Sequence, residues 1–368
     1  MNLPPPKGLA TGLGSMPFIT PAEALDLIWK FMPAVPHWPQ LPQLGQSEGL
    51  IAQTLRPLID CGILAVREDQ AAFDLDHPLW PENLTQFYSH YLAAEAGDPE
   101  ALEQFSIPEA SARGLYAFCE LVRQTDTDSI RYLKGHVVGP LTMGFQLKDT
   151  GGRIAYYNPE LRDLIVKTLA MNAKWQAAEL RRLGRPAIIF IDDPTISACG
   201  SSSHITLTRE MIIDDLNAIL SAVHSENAYT GIHSCDALDW TILFESGTNI
   251  VSLDAYQFGD SLIPYVSEMD RFLKRGGTMA WGIVPTRAEA FEETTESLID
   301  RLNGLWTELE SRGIDRKRLL SQSLITPACG TGLLSPDLAV RIYQLTAEIS
   351  GEIHAMANSL QSVNPSDI

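Results

Sequence analysis

The chain has 368 residues, 45% of them hydrophobic, and a formal net charge of -19 at pH 7. That suffices for one large core or two smaller ones, and so acidic a surface repels nucleic acid, whose binding rests on Lys and Arg neutralising phosphates. No apolar run reaches the length of a membrane span, no signal-peptide pattern opens the chain, and five cysteines, an odd number, make no disulfide framework. A cytoplasmic protein that engages neither nucleic acid nor membrane is expected.

Ala10–Gly14 is strand-like and runs into the turn Gly12-Leu-Gly14-Ser15-Met-Pro17. This turn fits neither a P-loop nor a dinucleotide fingerprint. Its amides and Ser15 suit a carboxylate; a tight turn that simply requires glycine is the alternative. Trp38, within Pro36-His37-Trp38-Pro39-Gln40, is either an aromatic wall or a packed surface loop. Gly62-Ile-Leu-Ala-Val66 reads as a second strand. The stretch from about 68 to 130 is irregular, with Pro, Trp and acidic residues, and reads as an insertion after that strand.

Beyond residue 130, short apolar strands alternate with long amphipathic helices. Tyr132–Val138 is strand-like and ends in Gly139-Pro140-Leu-Thr142. Leu161, Leu164, Ile165, Leu169 and Ala173 then recur at helical spacing. Ala187–Ile191 is β-rich and ends at Asp192-Asp193-Pro194. A helix carrying Ile212, Leu216 and Ile219 leads to Tyr229-Thr-Gly-Ile-His233-Ser-Cys235. Asn249–Leu253 ends at Asp254, and Thr278–Gly282 follows one more helix. A long helix near 286–312 precedes Leu324–Pro327, and a last helix starts near Pro336.

Strand–helix alternation means a parallel sheet. The two early strands bring the total to eight, the number that closes a (β/α)8 TIM barrel. A single α/β barrel domain over 1–368, with its insertion at about 68–130, is therefore predicted; an open doubly wound sheet is the structural alternative. Barrel chemistry sits at the C-terminal ends of the strands. Ser15, Asp192, His233, Cys235, Asp254 and Cys329 all fall at or just after such ends.

One imidazole and two thiols suit zinc, which takes N and S ligands tetrahedrally. The candidate metal set is His233, Cys235 and Cys329, perhaps joined by Asp254 as an exchangeable fourth ligand. The plainer possibility is a hydrogen-bonded His233 and two cysteines that fill core space. Asp192 suits a substrate ammonium group or a general base, or else a turn before Pro194, a role that fits Asp193 better. Cys199 is a rival ligand. Cys61 and Cys119 sit in helical apolar contexts and read as buried filler. His136 reads as structural.

The order of these motifs resembles the C-terminal catalytic barrel of cobalamin-independent methionine synthase, within the superfamily that includes uroporphyrinogen decarboxylase. His233-x-Cys235, the strand ending at Asp254, and Pro327-Ala-Cys329-Gly330 carry the likeness most specifically. Gly139-Pro140-Leu-Thr142 and Asp192-Asp193-Pro194 support it. The resemblance implies zinc on His233, Cys235 and Cys329, with Asp254 where the family has a glutamate ligand. It implies that Asp192 meets the substrate amino group, that Ser15 meets the carboxylate, and that Glu68 stands for an acidic binding residue after the second strand.

The implied activity is a methyltransferase of methionine-biosynthesis type, moving a methyl group to a zinc-bound, homocysteine-like thiol. The chain is similar in length to core-only forms, so the implied donor is a methylated corrinoid protein, with methyl-folate as the other source. The histidine expected after the seventh strand is missing, since Gly282-Ile-Val-Pro-Thr286 holds none. Two other readings stay open: a lyase or hydrolase using Asp192 as base, and a non-catalytic protein that binds a corrinoid partner.

Overall fold

The computed structural model describes residues 3–67 and 70–362. Seven strands form a curled parallel sheet: β1 (Leu9–Ala10), β4 (Leu133–Val138), β6 (Ala187–Asp192), β7 (Tyr229–Ser234), β8 (Ile250–Leu253), β9 (Thr278–Val284) and β10 (Ser323–Pro327). Their spatial order is β1-β10-β9-β8-β7-β6-β4. Each of these strands was legible in the sequence, and helices separate them as the alternation predicts. Among the described residues no helix is long and apolar enough to cross a membrane.

The sheet curls like a barrel, but its ladder is not closed. The predicted second strand lies elsewhere: β2 (Leu64–Arg67) pairs antiparallel with β3 (Gln70–Phe73), and β3 pairs with β5 (Lys148–Asp149) in a separate three-stranded sheet. Between β1 and β4 runs the extended segment 35–40 instead. Lys134 N–H donates to the Pro36 carbonyl (2.9 Å), and Trp38 N–H to the Lys134 carbonyl (3.1 Å). On the other side, Gln40 N–H donates to the Gly14 carbonyl (3.0 Å) and Met16 N–H to the Gln40 carbonyl (2.9 Å). Pro36 and Pro39 have no N–H to give, so a regular ladder cannot form there. The excursion from the curled sheet therefore begins after Gln40, before the predicted insertion point.

Alternation along the strands sorts side chains into two populations. Ile189 and Ile191 join the large core beneath the helices. Ile188 and Phe190 point the other way and cluster with Tyr132, Ile250, Ala280 and Leu324 inside the curl. Toward the C-terminal ends the same inward positions turn polar: Lys134 and His136 follow Tyr132, Asp192 follows Phe190, His233 follows Tyr229, Ser252 follows Ile250, and Thr326 follows Leu324. Gly231 makes room for the Phe190 ring, which a Cβ at that position would strike.

Asp193 performs the turn role rather than a chemical one. Its carboxylate accepts from Leu141 N–H (2.9 Å), Thr142 N–H (3.0 Å) and the Thr142 hydroxyl (2.6 Å). It thereby satisfies the first turn of the helix Pro140–Gln146 and ties the end of β4 to the end of β6. Burial pushes Asp193 up to about 6 against the pull of those donors. Asp193→Ala is expected to cost about 2–4 kcal/mol, since buried amides lose a charged acceptor. Urea unfolding of the variant beside wild type measures this.

Candidate metal centre

His233 lies on β7 directly opposite Asp192 on β6 and Ser252 on β8. Cys235 follows the last residue of β7, and Cys329 lies two residues past β10. Parallel pairing with a continuous curl brings these strand ends together. One ligand atom from each of His233, Cys235 and Cys329 lies within 4.8 Å of the others.

The imidazole is set for one direction of use. His233 Nδ1 and Ser252 Oγ share a 3.0 Å hydrogen bond. Nε2 is buried and has no protein partner. A buried ring nitrogen without a partner costs stability, whereas a ligating histidine has its second nitrogen fixed by a neighbour in this manner. The thiols are arranged compatibly. The adjacent Cys329 thiol, and after it the His233 imidazole, hold the Cys235 pKa below its ordinary value despite burial. The neighbouring Cys235 and burial push the Cys329 pKa up in turn. One nitrogen and two sulfurs fit zinc in kind, number and spacing, and three protein ligands are the complement of a catalytic rather than a closed structural site.

Asp254 differs from its expected position as the fourth ligand. It is not in the group of converging ligand atoms. Its Oδ1 accepts from Gln257 N–H (2.9 Å) and its Oδ2 from Gln257 Nε2 (2.6 Å), so it caps the short helix Ala255–Phe258. Its pKa is raised, first by burial, with the nearby Cys235 adding to the effect.

Asp192 remains free for use. Its Oδ1 is buried without a hydrogen-bond partner. Burial raises its pKa, opposed by the neighbouring His233 and Lys134. Ser15 lies at this end of the sheet, with its oxygens used as acceptors. Its Oγ accepts from Gly332 N–H (3.3 Å), and its carbonyl accepts from Thr331 N–H (2.9 Å) and the Thr331 hydroxyl (3.0 Å). A Cβ at Gly330 would collide with Ser15 Oγ, so a larger residue there would displace that hydroxyl. Glu68 lies outside the described residues. Cys199 is not part of the group, and its thiol points toward the Leu207 carbonyl (3.9 Å). Cys61 and Cys119 are buried as expected, and burial pushes each up to about 11.

Three residues of this interior, Ser252, Lys134 and His37, were not legible as site residues in the sequence. Ser252, which orients His233, carries no motif. Lys134 sits in an apolar strand and is fully buried. His136 is buried too, with its ring stacked on Trp38 at 3.9 Å between centroids. Trp38 is an interior wall rather than a surface loop, and its Nε1 donates to Gln176 Oε1 (3.1 Å). His37 pairs with the Tyr343 hydroxyl at 2.8 Å. The strict alternation Tyr132-x-Lys134-x-His136 was the available signal for Lys134 and His136.

No protein-family model matches the chain, and no curated protein matches it either. Among solved structures, it is similar to a B12-independent methionine synthase from Shewanella sp. W3-18-1 in complex with selenomethionine. The identity is 16%, over 67% of this chain and 68% of that chain, with a TM-score of 0.43. It is also similar to an endo-beta-1,4-mannanase double mutant from Cellulomonas fimi, at 11% identity over 64% of this chain and 57% of that one, with a TM-score of 0.35. The fold and the site described above rest on this chain's own geometry.

Protein purified without chelator is expected to carry about one zinc per chain. His233→Ala and Cys235→Ser should lose it. Cys199→Ser should keep it. Ser252→Ala should retain zinc but bind it about ten- to hundredfold more weakly, because the ring loses its orienting partner. Elemental analysis and competition with a chromophoric chelator read these outcomes.

Proposed function

We propose that the protein is a zinc-dependent methyltransferase whose acceptor is a small thiol. The observation that carries this reading is the convergence of His233, Cys235 and Cys329 on one point, with a buried Nε2 that has no other use. Bound zinc would supply Lewis acidity, favouring the thiolate form of an incoming thiol and holding its sulfur in place.

The chain's own residues supply the rest. Ser252 fixes the His233 ring so that Nε2 faces the metal position. Asp192, with a buried and unpartnered carboxylate oxygen, receives the ammonium group of an amino-acid-like acceptor. Asp254 joins the centre only by releasing Gln257, which makes it an exchangeable rather than a permanent member. In the transfer, the acceptor sulfur forms a bond to the methyl carbon as the carbon–donor bond breaks, and the donor keeps that electron pair. The thiol proton leaves to solvent. The protein contributes alignment and the exclusion of water from the attack. A methylated corrinoid protein is the proposed donor, with methyl-folate the alternative source.

The competing reading, a lyase or hydrolase with Asp192 as base, draws on that residue's burial and raised pKa. One assay separates the two. With methylcobalamin as donor and L-homocysteine as acceptor, the zinc-loaded protein is expected to form the thioether product. Cys329→Ala should lower the rate by more than about a hundredfold. A variant that keeps its activity would remove the metal–thiol mechanism and leave Asp192-centred chemistry as the reading to pursue.

A further inference from the structure

Lys134 and His136 stand out among the buried polar groups of the interior. They occupy alternate positions of β4, on one face and about 7 Å apart along the strand. Lys134 is fully buried, and its Nζ has no hydrogen-bond partner. Its ammonium rests 4.2 Å from the centroid of the Phe190 ring, an interaction that offsets only part of the cost of a buried charge. His136 is likewise buried, and neither of its ring nitrogens has a partner. Trp38 covers one face of the ring, and Gly14 lies so close that a Cβ there would contact Cε1 and Nδ1 at 2.5 Å.

A chain of packed contacts links these groups to the metal centre. Gly14 leads to Ser15, and Ser15 Oγ packs on Gly330, the neighbour of Cys329. Asp192 lies at the end of β6, the strand beside β4. It feels the charge of Lys134, yet it leaves Oδ1 unpaired and makes no ion pair with the lysine among the described residues. Opposite charges held apart at one buried site are costly unless something else satisfies each of them. A ligand that carries both an ammonium and a carboxylate does so. The Ser15 hydroxyl oxygen accepts from Gly332 and keeps its O–H to donate beside these two groups.

We propose that Lys134 and His136 form the anion-recognition end of the site and receive the carboxylate of the thiol acceptor, a role the sequence resemblance implied for Ser15. Lys134 provides the charge and His136 an N–H in a fixed plane. Asp192 takes the ammonium group on the adjoining strand, so the acceptor is a zwitterionic amino-acid thiol. This rests on the thiol-acceptor reading above.

Titration calorimetry on zinc-loaded full-length protein tests it, with L-homocysteine and 3-aminopropane-1-thiol, which lacks the carboxylate. Wild type should bind L-homocysteine at least about tenfold more tightly, the margin expected of a charged hydrogen bond. Lys134→Met keeps the length of the side chain, and His136→Phe keeps the stack on Trp38. Each should erase that margin while leaving affinity for the aminothiol and zinc content unchanged. If Lys134→Met does not fold, His136→Phe decides alone. No margin in wild type, or a margin that survives in the folded variants, overturns this assignment and leaves the metal–thiol reading intact. Failure of both thiols to bind wild type overturns both.

Discussion

The parallel ladder from β4 through β10 is the constraint on which everything else depends. It sets Asp192 beside His233 and His233 beside Ser252, residue against residue. Because side chains alternate across a strand, a slip of one residue would turn all of these outward. The apolar half of the same alternation prevents that slip. Ile188, Phe190, Ile250 and Leu324 fill the inside of the curl, while Ile189 and Ile191 pack beneath the helices. The hydrophobic core thus enforces the register, and the register assembles the polar end.

A second constraint acts where the ladder fails. The segment 35–40 contains Pro36 and Pro39 yet still bonds to both edges of the sheet. This places His37 and Trp38 inside the molecule, where each is fully buried. Trp38 then stacks on His136, and His37 reaches Tyr343 on the last helix. The positive charge of Lys134 and burial together hold His37 well below its ordinary pKa, at about 3, with burial the larger cause. His136 is lowered by the same two causes in the same order. Both imidazoles are therefore neutral, and a neutral ring has one donor and one acceptor nitrogen. His37 uses both nitrogens within the protein, whereas His136 uses neither.

Strand positions after residue 130 were legible because short runs of four to seven strand-prone residues, bounded by Gly, Pro or Asp, leave little choice. His233, Cys235 and Cys329 were legible for a related reason, since thiols and an imidazole at strand ends have a shared destination in such a fold. The second strand was misplaced by the same logic. Ile63–Val66 has the composition of a strand, and 35–40 has two prolines, so composition favoured the wrong segment. Local propensity cannot report which edge a segment will meet. Asp254 shows the other limit. The sequence places a carboxylate at the right strand end, but whether it ligates or caps a helix depends on Gln257, three residues on, and on helix geometry.

Lys134 was hidden by a different effect. A lysine inside an apolar strand reads as an exposed edge position, where the ammonium reaches water. Here the strand is buried along its whole length, and the curl brings the inward faces of six other strands around it. The charge therefore has no route to solvent. Burial lowers the Lys134 pKa to about 8, with Asp192 resisting the fall. Around neutral pH the group remains mostly cationic, and the interior carries a positive charge that no protein atom neutralises by contact. Replacing it with an apolar residue of similar length would be neutral or favourable for folding alone. Its presence beside an unpaired carboxylate and an unpaired imidazole is therefore better explained by a ligand that meets all three groups than by the stability of the sheet.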